Sequence, residues 1–129
     1  MKFMKWLTLA ALTTVLGTAV TAAPPDSSKV LEIKSALSAS AVKPGQKAKL
    51  AVVLRVNKGW HINSNKPNED FLIPTIVALK PASGITLGKP AYPKAKELKV
   101  AFSPDSLAVF EGEVPVVMEI AVAKNVKPG

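Results

Sequence analysis

The chain has no cysteine, one histidine, almost no arginine and few aromatic residues. Without cysteine it forms no disulfide and performs no thiol chemistry. A small exported domain often leans on disulfides, so this one relies on its apolar core. One histidine rules out a histidine-based metal cluster, because metal sites need several convergent ligands. Met1 and Met4 fall in the N-terminal leader, which leaves His61 with only Met118, itself on an expected core face. A small metal carrier is therefore the weakest reading, and neither a metal nor a cofactor is expected. No Gly-rich phosphate loop is present, since the glycines sit in turns. No serine is framed as a nucleophile, and Glu69-Asp70 and Glu111/Glu113 read as solvated loop acids rather than carboxylates placed across a cleft. No residue is assigned a catalytic role.

The N-terminus has the layout of a signal peptide. Lys2 and Lys5 give the positive start, Trp6 to Val20 the apolar stretch, and Val20-Thr21-Ala22 the small residues for cleavage. A membrane anchor is the alternative, but the apolar run is short of the ~20 residues that a span needs. Residues 1–22 are assigned to the signal, 23–29 to a Pro/Ser/Asp linker and 30–129 to one domain. The membrane is then met only through the signal peptide.

The formal net charge is +8. Lysines recur at Lys43, Lys47 and Lys49 and at Lys89, Lys94, Lys96 and Lys99. They form a solvated basic surface or attract an acidic partner or anionic envelope surface. Nucleic acid is not an expected partner: the chain reads as exported and lacks an aromatic stacking series.

After the leader the hydrophobic period is two. Leu31, Ile33, Ser35 and Leu37 alternate with Glu32, Lys34 and Ala36, as a half-buried strand would. Lys43-Pro44-Gly45-Gln46 is a turn. Ala48, Leu50, Val52, Leu54 and Val56 then face one way along the clearest strand, and Asn57-Lys58-Gly59 turns the chain again. Pro74 makes the first half of Phe71 to Leu79 an edge or a bend, with Thr75 to Leu79 expected as a strand. Further strands are expected at Ile85–Leu87, around Leu98, Val100 and Phe102, at Leu107–Phe110, and along Val114 to Val122. No helix is expected. Short strands with turn signals every 8–12 residues or so predict an all-β, immunoglobulin-like antiparallel β-sandwich, with a small barrel as the alternative. Val126-Lys127-Pro128-Gly129 repeats the Val42–Gly45 turn that leads into the best strand. It is expected to precede a missing last strand, a frayed tail being the alternative.

Gly59-Trp60-His61-Ile62-Asn63-Ser64-Asn65-Lys66-Pro67 concentrates side chains that need hydrogen bonds, which a core strand seldom carries. The segment is a structured corner or part of a recognition surface. Trp60, at a strand start, is expected as a core plug. Phe102 packs inward or caps a site from a loop.

That segment, followed in order by Phe71-Leu72-Ile73-Pro74-Thr75, Tyr92-Pro93, Phe102-Ser103 and Val109-Phe110-Glu111-Gly112, resembles the N-terminal domain of the thiol:disulfide interchange protein DsbD. The resemblance covers about Leu31 to Val122. It implies an immunoglobulin-like domain of the periplasm that passes electrons between the membrane part of DsbD and periplasmic thiol–disulfide proteins, which are the implied partners. The family's chemistry resides in two cysteines on a hairpin after the long strand, and this chain has neither. The resemblance therefore implies only surroundings: Trp60, His61 and Asn63 as a wall beside the cysteine pair, and Phe102 as its shield. The chain is expected to be inert in redox chemistry by itself. The alternative is a non-redox exported binding or adaptor domain of the cell envelope.

Overall fold

The computed structural model describes residues 26–127. The signal peptide expected at 1–22, the start of the linker, Pro128 and Gly129 lie outside the described residues. A single turn of 3-10 helix at Ser27–Lys29, capped by the Asp26 side chain, leads into the domain.

Seven strands follow: β1 (Leu31–Leu37), β2 (Lys47–Val56), β3 (Ile62–Asn63), β4 (Ile85–Leu87), β5 (Lys96–Leu98), β6 (Leu107–Phe110) and β7 (Glu113–Val122). They form two antiparallel sheets, one in the order β1-β2-β7-β4 and one in the order β3-β6-β5. This is an all-β sandwich of immunoglobulin-like build, not a closed barrel.

The alternation in β2 and β7 explains the core. Val52 pairs with Val116, Leu54 with Val114 and Leu50 with Met118. Their side chains share the inward face because successive strand residues point to opposite sides. Val52, Leu54, Val56, Val114 and Met118 pack with Phe110 from the second sheet. Tyr92 stacks parallel on Phe110, with ring centroids 6.3 Å apart. Lys47, Lys49, Arg55 and Glu119 occupy the outward face.

The turn at Lys43–Gln46 forms as its residues demand. Pro44 precedes Gly45 at φ +81°, and Gln46 N donates to Lys43 O at 3.0 Å. That is the arrangement of a type II turn, whose third residue needs a positive φ.

Three expectations need correction. Thr75–Leu79 is not a strand. Thr75 N donates to Ser64 O, and Val77 N donates to the Tyr92 hydroxyl at 2.7 Å, so these amides are satisfied without a ladder. The strand expected around Leu98 to Phe102 ends at Leu98 and begins at Lys96. Beyond it the chain bends toward Pro104, which has no amide proton for a ladder. β1 has its expected bounds but is exposed along nearly its whole length, with Ile33 64% and Leu37 49% accessible. The core gathers on β2 and β7, and of β1 only Leu31 packs against it.

Candidate functional site

The Asn57–Trp60 turn is held from both sides. Trp60 N donates to Asn57 O at 3.0 Å, and Gly59 has φ +85°. Asn57 reaches back to the domain entrance: its N donates to Val30 O at 2.9 Å and its Nδ2 to Lys29 O at 2.7 Å. Val56 N donates to Gly112 O at 2.8 Å, which fixes the turn against the β6–β7 connection. The chain therefore leaves the first sheet at Val56 and enters the second at Ile62 with little slack.

This geometry places Trp60 and His61 just beyond the last paired residues, since Ile62 pairs with Phe110. They line an open depression of about 630 Å³ together with Val56, Lys58, Leu98 and Glu111. Trp60 is 44% exposed, which corrects the expectation of a core plug. Among the described residues no strand lies across from it, because the pairing partner's run ends at Phe110 and Gly112 turns the chain into the other sheet. His61 is exposed. The Glu111 carboxylate accepts from Lys96 Nζ at 2.7 Å, so the rim carries an ion pair. Exposed aromatic rings such as Trp60 are enriched where proteins meet, while Lys and Glu, as in the Lys96–Glu111 pair, belong to the polar rim. Among the described residues no group of three or more His, Asp or Glu side chains could hold a metal ion.

Asn63 does something different. It is half-buried, its Nδ2 donates to Ile73 O at 2.9 Å, and its carbonyl accepts from Thr75 Oγ1. It ties the 73–75 segment to the sheet rather than presenting a side chain to solvent. Ser64 beside it is 1% exposed, with N donating to Ala108 O and Oγ accepting from Lys66 N at 3.0 Å. Asn63 and Ser64 are thus a post that positions the loop.

Phe102 belongs to the segment leading into Leu107, at the other end of β6, and does not line the depression. It is 82% exposed, so of its two expected placements the loop position is the one found. Its loop is clamped to the 64–70 loop. Asn68 Nδ2 donates to Ser106 O at 2.7 Å and to Glu97 Oε2 at 3.1 Å, and Ser103 Oγ donates to Glu69 Oε1 at 3.2 Å. The structure therefore joins Trp60 and His61, gives Asn63 a tethering role, and sets Phe102 apart on a second, apolar loop pair that also carries Phe71 and Ile73.

Sequence reasoning missed Glu111's place on the rim and the clamp through Asn68. Ser64 had a readable signal, because serine ahead of Asn65-Lys66-Pro67 favours a hydroxyl-to-backbone turn. The Asn68 clamp spans distant segments and left no local pattern.

Comparison with known proteins agrees with this organisation. A family model described as thiol:disulfide interchange protein DsbD, N-terminal, matches residues 27–128. No curated protein and no solved structure matches. The matched range takes in every strand of the sandwich, and the chain belongs to the family of DsbD N-terminal domains.

Proposed function

We propose that this chain is an exported, periplasmic docking module of thiol:disulfide interchange whose own residues carry out no thiol chemistry. The observation that carries this reading is the family match across the whole sandwich in a chain with no cysteine. Domains of this family are periplasmic and related to thiol:disulfide interchange. Exchange proceeds by a thiolate attacking a disulfide sulfur, and this sequence supplies neither group. What it supplies is the wall, Trp60 and His61 at the depression with Asn63 holding the adjoining loop, while Phe102 stands apart from it on the clamped loop pair. The signal at residues 1–22 delivers the domain, so the mature protein begins at Ala23, and intact mass of the exported product checks that.

The central test is calorimetric titration of the chain with a purified periplasmic thiol–disulfide oxidoreductase whose cysteines are replaced by serine. No covalent step then contributes. Saturable binding that weakens about tenfold or more in His61→Ala supports docking through this wall. In parallel, the chain reduces a small aromatic disulfide no faster than buffer. Absence of binding by the folded chain would overturn the reading in favour of the envelope adaptor, and disulfide reduction above the buffer rate would overturn the inertness.

A further inference from the structure

The free edge of β1 carries a pattern that the docking wall does not use. Asn57 N donates to Val30 O and Ser38 N donates to Lys49 O, at the two ends of the β1–β2 ladder. Bonded and non-bonded positions alternate along an antiparallel pair. Glu32, Lys34 and Ala36 therefore turn their amide and carbonyl groups to β2, while Leu31, Ile33, Ser35 and Leu37 turn theirs outward. Among the described residues no strand pairs with that edge.

Exposed edges are usually blunted by proline, bulges or charged side chains, and the charges on β1, Glu32 and Lys34, neutralise each other as a pair. β1 reads Leu-Glu-Ile-Lys-Ser-Ala-Leu, without proline or glycine, and its register with β2 runs from Leu31 to Leu37 without a bulge. Ile33 lies on the inward side, 64% exposed, over a groove of about 320 Å³ that also includes Leu31, Ile62 and Ile76.

The outward side of the edge names an occupant. Glu113, Arg55 and Glu32 stand in one cross-strand row. Arg55 Nη2 lies 2.8 Å from Glu113 and Arg55 Nη1 3.5 Å from Glu32. The signs alternate toward the edge and end on the Glu32 carboxylate, which the same chain's Lys34 meets at 3.2 Å from two positions along the strand; directly across the edge, the row continues only with a cation. We propose that this position is filled by Lys34 of a second copy of the chain, the two β1 strands pairing antiparallel about a two-fold axis at Ile33.

Symmetry makes the choice sharp. With the axis at Ile33, Glu32 faces Lys34 of the second copy and Lys34 faces its Glu32. Ile33 meets Ile33, and Leu31 meets Ser35, through the outward-turned amides. An axis at Lys34 opposes two lysines, and one at Glu32 opposes two glutamates. An axis at Ser35 leaves both charges facing uncharged residues. Only the Ile33 register continues the alternating row, and it brings the two apolar grooves together. A dimer interface of this kind uses the same patch on both subunits.

Sedimentation equilibrium of the purified chain tests this, with circular dichroism as the check on folding. The expected result is a reversible monomer–dimer equilibrium. Glu32→Lys and Lys34→Glu each weaken it about tenfold or more, because like charges then face each other twice. An equimolar mixture of the two variants restores association, since each supplies the sign the other lacks. Ser35→Pro removes an outward amide and also abolishes the dimer. The cysteine-free background lets Ile33→Cys report the axis: opposed hydrogen-bonded residues have Cα atoms about 5.5 Å apart, within disulfide reach. A folded chain that stays monomeric, a dimer unmoved by the charge variants, or cross-linking through Ser35→Cys in preference to Ile33→Cys would each overturn the assignment.

Discussion

β2 and the Phe71–Leu79 segment are both apolar, yet they end in opposite conditions. In β2 the inward residues Val52, Leu54 and Val56 are buried, and each faces a partner on β7 or β1. In the other segment Phe71, Ile73 and Ile76 are 77%, 82% and 73% exposed. The difference lies in partners rather than composition. β2 has a strand on each side and a sheet above it. The Phe71–Leu79 segment crosses between the sheets, with Pro74 in its middle and side-chain groups standing in for neighbours. Hydrophobicity raises the reward for burial, but a complete ladder decides where the reward is collected.

The sharpest way to break this comparison is to truncate one side chain from each region. Phe110→Ala removes a 3%-exposed ring from the core and should cost about 3–5 kcal/mol in urea unfolding. Ile73→Ala, on the exposed segment, should stay within about 0.5 kcal/mol. Equal effects would mean that the two regions do not differ as described.

Next in size is Tyr92→Phe. It keeps the stack on Phe110 but leaves Val77 N without its acceptor, and about 1–2 kcal/mol should be lost. Trp60→Ala follows. A half-exposed ring beside an open depression should cost about 1 kcal/mol, well short of a core tryptophan's about 3–5. A loss in the higher range would return Trp60 to the core.

The smallest effect is electrostatic. The Glu32 carboxyl is held below the ordinary glutamate range by its hydrogen bond with Lys34, then by the charges of Lys34 and Arg55. The folded state therefore binds fewer protons than the unfolded chain as pH falls through the carboxylate range. The contribution is complete above the ordinary value and is lost on acidification. Since the pair is exposed, the effect is small and salt-sensitive. Glu32→Gln should slightly flatten the fall in urea midpoint between neutral and acidic pH.

Much of the fold was legible because β2 and β7 carry period-two runs, and β4 and β6 short apolar runs, bounded by turn residues. β1's bounds were legible too. Its exposure was not, because alternation reports which residues share a side and says nothing of what lies over that side. Trp60 was misplaced for a related reason. Its size suited a core, but the turn at Gly59 sets it past the end of the paired rows. The candidate site was legible as a segment and not as a surface. Trp60 and His61 were visible together with Lys58 of the same turn, whereas Glu111 and Leu98 join them only through pairings between distant strands. Asn63 drew notice as a polar residue that wanted a partner, and it found one in Ile73 O.

The phenol of Tyr92 has a consequence in time. It accepts from Val77 N on one side and stacks on Phe110 on the other. An amide in an unpaired, largely exposed segment ordinarily trades its proton with solvent almost at once. Val77's can do so only when Tyr92 swings away, and Tyr92 is seated on the core. Its exchange rate should stand apart from those of Ile76 and Ala78 and follow the opening of the sandwich interior. One slow proton in a fast stretch of chain would then act as a clock for motions of the core.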